Sequence, residues 1–98
     1  MIKEEARVQT EKASKYLMQM CKHFAHKVPV EFDERAGRVD FQPGHCVMRV
    51  ENNLLVLSCE ADAEGEMARM KLILDDHLKR YAWREEVDIK WQLMSGAR

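Results

Sequence analysis

His45-Cys46-Val47-Met48-Arg49-Val50-Glu51-Asn52-Asn53-Leu54-Leu55-Val56-Leu57-Ser58-Cys59-Glu60 holds two runs rich in Val and Leu around an Asn-Asn pair. Asn tolerates positive φ, so the pair suits a two-residue type I′ hairpin turn. Such a loop sets Glu51 against Leu54. Counting outward pairs Val50 with Leu55, Met48 with Leu57 and Cys46 with Cys59. These three pairs share one face, and that face is apolar, as a helix-covered side should be. The two strands therefore belong to an antiparallel sheet that is covered on one side.

Upstream, Val30 and Phe32 alternate with Glu31 and Asp33, and Val39 and Phe41 alternate with Arg38 and Asp40. A four-residue loop from Glu34 to Gly37 pairs Phe32 with Val39 and Val30 with Phe41. Glu31 then faces Asp40, a like-charge pair on what reads as a solvated, mixed-charge sheet face, with Arg49, Lys90 or a bound cation as the alternative neighbour. Gln42-Pro43-Gly44 reads as a turn. Glu11 to Lys27 is helical, with Thr10 as its cap and Glu11 in its first turn. Its buried face is Ala13, Leu17, Met20, Cys21 and Phe24, and Pro29 ends it. Before it, Ala6-Arg7-Val8-Gln9 alternates as a short strand.

Downstream, Asp62 caps a second helix with Glu64 and Glu66 near its positive end. Its inner face is Ala63, Met67, Met70, Ile73, Leu74, His77, Leu78 and Tyr81. Val87, Ile89 and Trp91 alternate as a last strand. The expected fold is α+β, in the order β-α-β-β-β-β-α-β. It is a two-layer sandwich of a mostly antiparallel six-stranded sheet with two helices on one face, similar to a ferredoxin-like fold with an added hairpin.

The chain has 98 residues, which suits one domain over residues 1–98. Sixteen basic and seventeen acidic residues give a net charge of −1. That removes the bulk electrostatic case for nucleic acid or an anionic membrane. No apolar run is long enough to span a bilayer, and Met1 to Glu5 lacks the apolar centre of a secretory signal. Cys21, Cys46 and Cys59 are widely spaced, without a CxxC motif, which points to a reducing cytoplasm. Glycine-rich phosphate loops and nucleophile elbows are absent, so no catalytic residue and no cofactor is assigned.

Histidines supply most of the chemical candidates. His23 and His26 are three apart, so a helix makes them neighbours and partial metal ligands. Tyr16, Gln19, His23 and His26 lie along one flank of the first helix, able to meet a polar ligand. His77 falls in the apolar stripe of the second helix, where a neutral, hydrogen-bonded imidazole is the ordinary occupant. Arg84 follows Tyr81 and Trp83. Trp83 is expected to close the sheet edge against the helix. The ligand-binding candidates are thus Tyr16, His23, His26, His77 and Arg84, and His23 and His26 are the metal candidates.

Several stretches resemble one small bacterial family. They are Ala6-Arg7-Val8 with Thr10, Ser14-Lys15-Tyr16-Leu17, Cys21-Lys22-His23-Phe24-Ala25-His26-Lys27, Val30-Glu31-Phe32-Asp33 and Gly37-Arg38-Val39-Asp40-Phe41. His77-Leu78 and Tyr81-Ala82-Trp83-Arg84-Glu85 complete the set. The family is the domain of unknown function 2218, and the resemblance runs from Ala6 to about Trp91. It implies no assigned activity. It does imply an association, through similar domains fused to or encoded near siderophore-interacting flavin reductases, with iron or siderophore metabolism.

The leading expectation is a binding or accessory domain with a small ligand or a protein partner. One alternative is a metal- or redox-dependent enzyme using His23, His26 and His77. Another is a protein-interaction module or homodimer that uses an exposed sheet edge. Cys46 and Cys59 are expected as packed, reduced cross-strand thiols.

Overall fold

The hairpin of β4 (His45–Glu51) and β5 (Leu54–Ala61) forms in the expected register, with Glu51 opposite Leu54, Met48 opposite Leu57 and Cys46 opposite Cys59. Cys46, Met48, Leu55, Leu57 and Cys59 are fully buried. Asn52 takes φ 53° and Asn53 does not take positive φ, so the turn is not type I′. The computed structural model describes residues 1–95.

Around this hairpin stand β1 (Ile2–Gln9), α1 (Ala13–Phe24), β2 (Val30–Phe32), β3 (Ala36–Asp40), α2 (Glu64–Tyr81) and β6 (Trp91–Ser95). The six strands lie in the order β2-β3-β4-β5-β1-β6. Every neighbouring pair is antiparallel. Without β2 and β3 the order is β4-β5-β1-β6, the ferredoxin-like arrangement, and the β2–β3 hairpin extends it past β4. Leu17, Met20 and Cys21 of α1 and Met67, Met70, Leu74 and Leu78 of α2 share one core with the inward residues of the sheet.

The β2–β3 register differs from the expected one by two residues. Val30 pairs with Val39, Glu31 with Arg38 and Phe32 with Gly37. Asp33 causes this, because its Oδ1 accepts the backbone N–H groups of Arg35 (2.7 Å) and Ala36 (2.9 Å). The turn therefore starts at Asp33, and Gly37 moves into the strand. Glu31 consequently faces a cation, and Asp40 faces His45. Arg49 instead reaches Glu5 and Glu51 on the outer face, where Ser58 donates to Glu5 at 2.8 Å.

Other boundaries shift as well. β1 starts at Ile2 rather than Ala6, because buried Glu4 is accommodated by the Lys71 ammonium at 2.9 Å. α1 starts at Ala13 and ends at Phe24, so Glu11 precedes it and His26 follows it. The Thr10 hydroxyl accepts the Lys12 N–H at 3.1 Å and so caps the turn leading into α1. Ala63 in an extended conformation occupies the α2 N-cap expected for Asp62. β6 begins only at Trp91, while Val87 and Ile89 pack against the core outside any ladder. Trp83 is 71% exposed, because α2 ends at Tyr81 and the chain turns it outward. Trp91 holds the sheet-to-helix contact instead, donating from Nε1 to Asp75 of α2 at 2.9 Å.

Gly37 sits where α1 presses on the sheet. A Cβ there would lie 2.7 Å from Cys21 Sγ and 3.1 Å from Phe32 Cβ. Gly37→Ala is expected to destabilise the protein by about 1–3 kcal/mol through overpacking. A wild-type urea midpoint for this variant would show that α1 stands further from β3.

Candidate functional site

Two cavities divide the candidate residues other than His26 between them. The larger, of about 370 Å³, lies among the C-terminal end of α1, the first four turns of α2 and the turn after β3. Phe24, Val28, Phe41, Pro43, Met70 and Ile73 give it an apolar lining. His23, His77, Lys27, Arg69, Glu66 and Gln42 add polar groups.

The sequence places these groups by simple means. Phe24 and His23 are adjacent at the end of α1, one buried and one half-buried. The Phe24 ring meets Phe41 edge-on, with centroids 5.3 Å apart. Phe41 therefore turns inward, and the Gln42-Pro43 segment that follows walls the cavity. That turn closes through Phe41 N–H donating to the Gly44 carbonyl at 3.0 Å, and the Gln42–Pro43 peptide is cis. Gly44 has φ 84°, and a Cβ there would lie 3.0 Å from the Glu60 carbonyl oxygen, so the turn favours glycine.

His23 and His77 meet with ring centroids 4.7 Å apart, and Phe24 lies 4.9 Å from His77. His77 Nδ1 is 2.7 Å from the Ile73 carbonyl, which can only accept. Nδ1 therefore carries a proton, which leaves Nε2 as the acceptor whenever the ring is uncharged. His77 is thus both the hydrogen-bonded histidine expected from the sequence and part of a cavity wall.

Burial pushes the His23 imidazole below its usual range, and His77, Lys27, Arg80 and His26 act in the same direction. A histidine with a lowered folded pKa binds fewer protons folded than unfolded. Its contribution to stability is complete above the ordinary value of 6.5 and is lost as pH falls through the folded value. His23→Gln should therefore lose less stability than the wild type on acidification below pH 6.5. Melting temperatures across that range check this, and parallel curves would contradict it.

His26 does not join this pair. It is exposed in the turn that follows α1 and does not line the cavity. Among the described residues no three His, Cys, Asp or Glu side chains converge so as to hold a metal ion.

Tyr16 and Arg84 line the second cavity, of about 290 Å³, with Lys12, Lys15, Gln19, Tyr81 and Trp83. Tyr16 is buried rather than on an exposed flank. Its hydroxyl donates to Glu85, which also accepts from Thr10 at 3.0 Å. Burial, reinforced by Glu85, pushes the Tyr16 phenol up to about 12. The Tyr16 hydrogen bond in turn holds Glu85 below the usual carboxylate range.

All three cysteines are free and buried. The hydrogen bond to Cys59 and burial hold the Cys46 thiol well above its ordinary range, and burial raises Cys21 to about 11. Thiols of this kind are poor nucleophiles at neutral pH.

Comparison with known proteins adds a family and a structural relative. A family model described as an uncharacterized protein conserved in bacteria (DUF2218) matches residues 5–92. The NMR structure of PA4090 from Pseudomonas aeruginosa is similar, with a TM-score of 0.80 and 32% identity over 94% of this chain and 96% of that one. No curated protein matches the chain.

Proposed function

The chain belongs to the family designated domain of unknown function 2218, uncharacterized proteins conserved in bacteria, and from that premise we propose that it is a single-domain binding module for a small aromatic carboxylate. The observation that carries this reading is the cavity whose largely apolar lining also holds Lys27, Arg69 and the paired imidazoles of His23 and His77, two cations against the single carboxylate of Glu66. A volume of about 370 Å³ suits a small ligand, and such sites combine apolar walls with a few polar groups that fix orientation. Lys27 and Arg69 supply charge for a carboxylate, with Arg69 capable of two parallel hydrogen bonds. Phe24 and Phe41 supply aromatic edges and faces for a ring. The free Nε2 acceptor on His77 favours a ligand that also carries a hydroxyl.

The finer form of the reading is an aromatic hydroxy acid of the kind that ligates ferric iron. It rests on the resemblance to domains associated with siderophore-interacting proteins, together with this chemistry. The three reduced, buried thiols are in keeping with action in a reducing cytoplasm.

Calorimetric titration with salicylate, benzoate and benzyl alcohol tests the proposal. Salicylate should bind best and the neutral alcohol least. Arg69→Ala should weaken salicylate by at least about tenfold, the scale of one lost charge-assisted hydrogen bond. Equal binding of the alcohol, or an Arg69→Ala variant with unchanged affinity, would remove the carboxylate reading.

A further inference from the structure

The second cavity is chemically unlike the first. Lys12, Lys15 and Arg84 bring three cations to its lining, and among the described residues no carboxylate lines it. The nearby Glu85 accepts from Thr10 and Tyr16 and stays an anion whose charge Lys12 meets, which leaves a net excess of two positive charges at the cavity. Gln19, also in the lining, has its Oε1 buried without a hydrogen-bond partner among the described residues. A buried acceptor left so is costly unless a donor arrives. Trp83 stands at the rim, 71% exposed, with the Arg84 guanidinium 4.7 Å from its ring centroid. The ring fixes the guanidinium without neutralising it.

We infer that this cavity, between the first turns of α1 and the C-terminal end of α2, is a separate site for a small phosphomonoester that also carries a hydroxyl group. The three cations meet the dianion, and the hydroxyl donates to Gln19 Oε1. The chain's net charge of −1 makes the local excess of cations a property of this site rather than of the whole surface.

The test is an NMR titration of the full chain with glycerol 3-phosphate and with sulfate, a dianion that has no proton to donate. Glycerol 3-phosphate should saturate the shifts of the Trp83 indole and the Gln19 side-chain amide. It should bind at least about fivefold more tightly than sulfate. Lys15→Ala and Arg84→Ala, both exposed positions, should each weaken it about tenfold while leaving salicylate binding at the other cavity unchanged. Gln19→Ala should abolish the preference over sulfate. Shifts that grow linearly and spread over surface lysines, or unchanged affinity in both cation variants, would overturn the site. Because the two cavities share no lining residue, failure here leaves the carboxylate site standing, and the converse also holds.

Discussion

Leu17→Ala is expected to lower the unfolding free energy by about 2–5 kcal/mol, the usual range for emptying a fully buried leucine site. Leu17 is inaccessible to solvent, and its Cδ2 comes within 3.6 Å of where a Cβ on Gly37 would stand. It therefore packs beside Cys21 where α1 presses on Gly37, and the glycine leaves no side chain to relax into the void. Typical stability for a domain of this size is about 5–15 kcal/mol, so the loss is a large share of the whole. Urea unfolding gives the value directly. A midpoint equal to that of the wild type would mean that α1 presents another face to the sheet.

The second large effect belongs to Glu85, which lies in the irregular segment after α2. It ties that segment to the start of α1 through the Thr10 and Tyr16 hydroxyls. Glu85→Ala removes the acceptor from both donors, one of them on a buried ring. A single hydrogen bond to a charged group contributes about 1.5–3 kcal/mol, so the pair together should contribute about 3 kcal/mol. For a domain of this length that corresponds to a melting temperature lower by more than about 10 °C. The wild type should also show the linkage in its pH profile. The Glu85 contribution is complete above the ordinary carboxylate value of 4.5 and falls away as pH drops through the lowered folded value. The Tyr16 contribution is present below 10 and is lost as pH rises towards about 12. A change in stability within about 0.5 kcal/mol, typical of an unremarkable surface position, would contradict this tether.

The β4–β5 register was legible because the Asn pair and the apolar pattern agree on one answer. The β2–β3 register was not, and the reason is specific. A slip of two residues keeps every side chain on its own face, so Val30, Phe32 and Val39 share one face in either register. Hydrophobic pattern cannot distinguish the two, and the side chain of Asp33 decides. β1 was underestimated because Glu4 interrupts the apolar alternation, and its partner Lys71 is distant in sequence on α2. Val87 and Ile89 failed in the opposite sense, since their alternation reports one buried side and not a ladder.

At the candidate site, His77 was legible as the histidine within an apolar stripe. Its meeting with His23 depends on how α1 and α2 cross, which no spacing encodes. Lys27 and Arg69 were missed because a cation beside an apolar stripe reads as ordinary solvated helix surface. They gain significance only when the turn at Gln42-Pro43 encloses the space between them. Tyr16 and Arg84 are grouped with the histidines by the sequence, yet they line a different cavity from them.

The four histidines provide the most direct test of the carboxylate-binding cavity. Their imidazole resonances can be followed by NMR during a titration with salicylate at constant pH. His23 and His77 should shift together and saturate at one ligand per chain, while His26 and His45, which do not line the cavity, stay in place. Bound carboxylate should also raise the lowered His23 pKa, because a nearby anion favours the charged imidazole. Shifts at His26 or His45 equal to those at His23, or no saturable shift at His23 and His77, would contradict the account.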